Sequence, residues 1–386
     1  MTLFPFFSNA SLAATTLICS MAVAYLYGQE AFGLFSIFVV TNAVAQSLLT
    51  AAFVNPFVRE FQRANASSEV YVRLALLFAL VLFFIAQFLF YCVFTDFNIS
   101  LILSFSGCFT QIRNYYKSLN ISRMNIFWSY FPDLVFSLLC LLSVPLVLLF
   151  KFSFFIDFIY LYLVSSIVSL FTCFYNDRFY LGMSKVGLLR FLVIAKERCG
   201  HSFVSSFFME VINNGYNFAI VFFYGTLVYS NYSLAFMFLR PLTLVTMTLN
   251  QIYRAHLSRD SSKHTYLFKR FLMVNTSALI LNIFFVSILA YFFLNEISDS
   301  YDRGLVINVF LIMILVSFFR YLKSWCIIRA QSLGQFTQIN KIAIPNSVFC
   351  ALSLTLVGLL NLNSFFMTIV LMIFEVLFLL GFRKKG

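Results

Sequence analysis

The chain has 386 residues, 62% of them hydrophobic and only 10% charged, with a mean hydropathy of +0.93. A soluble domain of this length cannot hide so much apolar surface, so the composition excludes one and predicts an all-α polytopic membrane protein. The formal net charge of +12 does not mark a nucleic-acid binder, because the cations are spread over short breaks between apolar runs.

A bilayer's hydrocarbon core requires about 20 apolar residues per helix. Twelve runs qualify as candidates, near 4–26, 31–55, 74–94, 98–112, 126–149, 153–175, 202–227, 232–253, 271–294, 304–322, 341–361 and 364–382. The first lacks the positive leader of a cleavable signal peptide and reads as a retained helix. YGQEAFGLFS (27–36) then interrupts the pattern with two glycines, a Gln, a Glu and no cation. Lys and Arg collect instead at 56–73, 113–125, 176–201, 254–270, 320–341 and the FRKKG tail, while the alternate breaks hold only Lys151 and Arg303. Every second break is basic, which predicts cytoplasmic termini and makes YGQEAFGLFS the first outward turn. The basic breaks would then also meet anionic lipid at the inner leaflet. The runs 98–112 and 304–322 end among cations, which leaves open whether either crosses in full.

The longest hydrophilic stretch, 176–201, follows six spans and precedes six more. Its apolar residues interleave with Lys185, Arg190, Lys196 and Arg198, so it is either an interfacial amphipathic helix or a solvated linker. The expected organisation is a six-helix lobe at 1–175, this linker, and a second six-helix lobe at 202–386. A faint repeat supports the division. YGQEAFGLFS has a counterpart in YGTLVYSNYS (224–233), and VREFQR (58–63) has one in SRDSSK (258–263). Equal span number and orientation would make the halves parallel repeats.

Polar groups inside the spans are the informative ones, since each costs free energy unless it meets a partner or water. Span two carries Asn42, Gln46 and Thr50 at steps of four. Span four carries Ser104, Gly107, Gln111 and Asn114, and span five has Asp133, read as sitting at the cytoplasmic edge. In span seven Ser206, Glu210, Asn213 and Asn217 share one helical face, with Asn214 adjoining. That face either lines a wet passage or bonds neighbouring helices. In span eight Arg240, Thr243, Met247 and Asn250 form a similar row that Arg254 continues, and Pro241 predicts a kink beside Arg240. Arg240 sits about 12 Å below the outer end and either snorkels to the interface or binds an anion. Glu375 lies near the middle of span twelve with no basic neighbour in sequence. This makes Glu375 and Glu210 candidate sites for H+ or Na+ coupling. The eight cysteines show no metal-ligand spacing, and no nucleotide, hydrolase or metalloprotease motif occurs. The expectation is therefore a carrier without catalytic residues, metal or cofactor.

The segments YGQEAFGLFSIFVVTNAVAQSLLTAAFVNPFVREF, MEVINNGYNFAIVFFYG and LRPLTLVTMTLNQIYRAHLSR resemble the O-antigen flippase family (Wzx-type), within the superfamily that also holds multidrug exporters and the lipid II flippase. The resemblance implies a MATE-like pair of six-helix lobes in a bacterial inner membrane, alternating between inward and outward openings. The implied cargo is an undecaprenyl-diphosphate-linked oligosaccharide, with the polymerase and chain-length regulator of the same pathway as partners. Asn42, Gln46, Asn213, Asn217, Thr243 and Asn250 would then hydrogen-bond sugars, and Arg240 and Arg254 would hold the diphosphate. A multidrug exporter of the same fold and a membrane glycan enzyme such as an O-antigen polymerase are the alternatives.

Overall fold

The computed structural model describes residues 3–50, 96–122, 125–150, 154–176, 200–240, 264–296, 301–332 and 335–383, together with isolated positions between them. Ten helices occupy these stretches. They are α1 (Leu3–Leu26), α2 (Gly28–Leu49), α3 (Phe97–Ser122), α4 (Ile126–Phe150) and α5 (Phe155–Asn176), then α6 (Gly200–Met237), α7 (His264–Glu296), α8 (Arg303–Ser332), α9 (Phe336–Leu359) and α10 (Phe365–Arg383). Among the described residues, eight helices are long and apolar enough to cross a membrane. Most of the expected span 74–94, the linker 177–199 and the stretches VREFQR and SRDSSK lie outside the described residues.

Two helices are longer than their apolar runs. The run at 98–112 becomes α3, which continues to Ser122, and the run at 304–322 becomes α8, which continues to Ser332. The cations at their ends therefore stay within the helices. Arg113, Lys117, Arg320 and Lys323 belong to helical turns and not to loops.

The turns expected to face outward are tighter than the sequence suggests. α1 ends at Leu26 and α2 begins at Gly28, with Tyr27 alone between them. Likewise no loop separates the runs at 202–227 and 232–253, because α6 is interrupted at Gly225 alone. Gly28 and Gly225 both have φ +82°. No heavy atom stands near where a Cβ would project at either, so backbone conformation and not crowding calls for glycine. The paired YG motifs thus mark two helix breaks that share a positive glycine φ.

The chain divides into two compact units, Met1–Tyr27 with Leu34–Ser206, and Gly28–Gly33 with Phe207–Gly386. In the first, α1, α3 and α5 pack around α4. Ser8 Oγ donates to Tyr130 O at 3.2 Å, Thr15 Oγ1 to Ser137 O at 3.4 Å, and Cys19 Sγ to Cys140 O at 3.8 Å. Residue numbers rise together along this seam, so α1 and α4 run parallel, and small side chains let their backbones approach. Next to it Tyr162 meets Phe35, Phe38 and Phe136 edge-on at 5.3–5.8 Å, a favoured ring arrangement that fixes α2, α4 and α5.

In the second unit α10 packs on α8 and α9, and the six-residue start of α2 joins it. There Gln29 Nε2 donates to Leu227 O at 2.9 Å, and the Phe32 ring meets Tyr301 edge-on. α6 stops at Met237, where Phe238 and Leu239 form a turn ahead of Arg240. Proline disfavours helical geometry in the residue before it, and this break falls just upstream of Pro241. Leu242 N–H donates to Leu239 O, one residue short of helical register. The Phe238 carbonyl so released accepts from Asn282 Nδ2 of α7 at 3.1 Å, as a buried backbone group requires.

Candidate functional site: a buried ion cluster in each unit

Each unit holds two cations on one carboxylate. In the first, Asp133 of α4 is 1% exposed and receives two cations from α3. Arg113 Nε stands 3.1 Å from Oδ1, and Lys117 Nζ donates to Oδ2 at 2.6 Å. Arg113 Nη1 also donates to Ser169 Oγ of α5 at 3.1 Å, and its guanidinium lies 4.2 Å above the Phe136 ring. Lys117 lies over Tyr130 at 4.5 Å. Helical spacing explains the pair: Arg113 and Lys117 are four residues apart and share a face. Asp133, expected at the cytoplasmic edge, is thus the buried counter-ion of a closed cluster.

In the second unit the cations are Arg320 and Lys323 of α8, three residues apart, and the acid is Glu375 of α10. Glu375 is fully buried, with Arg320 Nε 2.9 Å from Oε1 and Lys323 Nζ on Oε2. Both cations also reach Asn213 of α6. Arg320 Nη2 donates to its carbonyl at 2.8 Å, and Lys323 Nζ donates to its side-chain oxygen at 2.7 Å. Glu210, one turn earlier, accepts from Asn214 Nδ2 at 2.5 Å, and its charge acts on Arg320 and Lys323. Removing ions from water costs several kcal/mol each unless charge and hydrogen bonds are returned, and here every member is bonded.

The expected polar rows are thus distributed. Asn213 is a ligand of the α8 cations. Asn217 is buried, donates to Asn214 Oδ1 at 3.4 Å, and its own Oδ1 lacks a hydrogen-bond partner among the described residues. Asn42 is half-buried, and its carbonyl accepts from Gln111 Nε2 at 3.0 Å, which joins the α2 and α3 rows. Gln46 is half-buried on the same helix, one turn further on. Arg240 is half-buried directly after the α6 turn. Thr243, Asn250 and Arg254 lie outside the described residues. Glu375, isolated in sequence, is held by two cations in space. No group of His, Cys, Asp and Glu suited to a metal occurs among the described residues.

Sequence reasoning missed Arg113, Lys117, Arg320 and Lys323 because it assigned them to basic loops. A signal was present. IRNYYKS (112–118) and FRYLKS (319–324) are alike, as are FPDLVF (131–136) and IPNSVF (344–349). The second pair sets Asp133 against Asn346, so the halves keep the cation pair and take the acid from different helices, α4 in one and α10 in the other.

The coordinates are similar over their whole length to solved transporters. The lipid II flippase MurJ in an inward closed conformation gives a TM-score of 0.71 at 16% identity, covering 100% of this chain and 86% of that one. An inward-facing MATE family multidrug resistance transporter of the MOP superfamily gives 0.65 at 14% identity, covering 97% and 94%. A MOP superfamily transporter from Pyrococcus furiosus gives 0.65 at 13% identity, covering 98% and 94%. At these identities the likeness establishes the fold, which is that of MATE transporters and MurJ. No family model and no curated protein matches the chain.

Proposed function

We propose that this protein is a flippase for an anionic lipid-linked glycan, of the undecaprenyl-diphosphate oligosaccharide class, moved from the cytoplasmic to the periplasmic leaflet. One observation carries the reading. In each unit two cations within apolar helices share one clasping carboxylate, Asp133 in the first and Glu375 in the second, with Glu210 as a further acid near the second pair. A carrier for cationic drugs calls for the opposite balance, while a diphosphate headgroup calls for this one. The sugars and diphosphate cannot cross hydrocarbon unaided. Half-buried Asn42, Gln46 and Arg240 are the groups positioned to meet such cargo as the carrier changes state, with Thr243, Asn250 and Arg254 as further candidates on the sequence pattern. The fold shared with a lipid II flippase supports the same class of cargo. It also supports a carrier over a glycan polymerase.

A drug exporter remains the second reading, favoured by the MATE likeness. Reconstitution separates the two. Full-length protein is placed in vesicles holding a polyprenyl-diphosphate oligosaccharide with a fluorescent terminal sugar, and dithionite reports leaflet exposure. The expected result is loss of fluorescence beyond the half quenched in protein-free vesicles. Quenching no greater than in those vesicles, with export of a cationic dye, would replace the flippase reading with the drug exporter.

A further inference from the structure

The two clusters share a design but differ in closure. Arg113 is 3% exposed, with Phe136 beneath its guanidinium and Ser169 on Nη1. Arg320 keeps 27% of its side chain exposed. Its protein partners are Glu375 through Nε and the Asn213 carbonyl through Nη2. Both Nη1 protons and one on Nη2 therefore have no acceptor among the described residues. Arg320 lies 17 residues into α8, about 26 Å along the helix axis. Charged side chains within apolar spans turn toward protein, water or a polar ligand and away from lipid, so its open donors face water or a polar ligand.

We propose that Arg320 is the receiving residue of a phosphoryl-anion subsite in the second unit, with Glu375 as its resident competing anion and Lys323 as the cation that keeps Glu375 neutralised. The inference rests on the flippase reading for its choice of cargo. The planar guanidinium fork matches phosphoryl oxygens two at a time. The second cation gives the arrangement its use. When an incoming diphosphate draws Arg320 off Oε1, Glu375 is still held by Lys323 on Oε2, and Lys323 keeps Asn213 Oδ1. The carboxylate is never left bare in a low-dielectric interior, where an unpaired charge is the costly state. Glu210, bonded to Asn214 beside the cluster and acting on both cations, limits how tightly a second anion is retained and so favours release. Exchange of Arg320 also removes one of the two ties between α8 and α10, linking occupancy to the packing of those helices.

The test uses full-length wild-type protein in detergent micelles. Phenylglyoxal modifies accessible arginines, and peptide mass spectrometry reads the adduct at Arg320. Geranylgeranyl diphosphate is expected to lower that adduct about fivefold or more at saturation, while geranylgeraniol leaves it unchanged. Protection by inorganic pyrophosphate as well assigns recognition to the phosphoryl group alone. Protection by pyrophosphate without the lipid upholds the subsite and assigns it to a free anion. In Glu375→Gln the half-protecting concentration should fall at least about threefold, because the internal competitor has lost its charge. The wild-type comparison stands even if that variant does not fold. An Arg320 that resists modification without ligand, or whose adduct no diphosphate changes, overturns the proposal. Leaflet transfer without Arg320 protection removes the subsite and leaves the flippase. Protection without transfer does the reverse.

Discussion

Glu375 and Asp133 are the residues on which most depends, and their substitution should be asymmetric with that of their partners. Glu375→Gln strands Lys323, which is 4% exposed and has no other carboxylate in ion-pair contact with Nζ among the described residues. Stranding a buried charge costs about 3–5 kcal/mol, so thermal unfolding in detergent should show a large loss. Lys323→Met should cost less, because Glu375 retains Arg320 and the added thioether fits an apolar setting beside Phe378. The double variant should recover part of the Glu375→Gln loss, which a double-mutant cycle measures directly. A simpler case is Asn282. Replacing it with Leu orphans the Phe238 carbonyl at the α6 turn, with an expected loss of about 1–3 kcal/mol.

Among the elements, α6 offers the cleanest prediction. Gly225 has φ 82° and ψ 173°, a conformation that is essentially confined to glycine and costs other residues about 1–3 kcal/mol. Gly225→Ala should lower thermal stability by that amount although no atom obstructs the new methyl. The same elements show what could be read from the chain beforehand. Both YG breaks were legible, since glycine beside tyrosine between two apolar runs has few other uses. Their tightness was not, because apolar counting sees residues 27–30 as polar and cannot tell a loop from a helix's first turn. For α3 and α8 the failure has a physical cause. Window hydropathy stops a span at its first cations, yet a cation can stay inside when a carboxylate on another helix meets it. Glu375 lies 55 residues from Arg320, a pairing that no local window contains. Span seven's polar face was legible through its spacing of three and four, but its partner, the α8 cation pair, was not.

At the scale of the whole molecule, the two-lobed helical reading stands as the MATE and MurJ fold, and the cargo is what the leaflet assay decides. The separations within the ion clusters bear on how the chain is made. The ribosome delivers Asp133 only 16 residues after Lys117, so α3 meets its neutraliser in the very next helix. α8 must wait for α10, with all of α9 emerging first. Two uncompensated cations within a span disfavour insertion, by at most about 2.5–3.5 kcal/mol each and less toward the span's end. Nascent α8 should therefore linger at the translocon until α10 arrives. A glycosylation reporter fused after α9 should reveal incomplete threading of α8, and one fused after α10 should show it complete. Biogenesis of the second half is in this respect a delayed handshake, and truncations that end before Glu375 are the ones that quality-control proteases should clear.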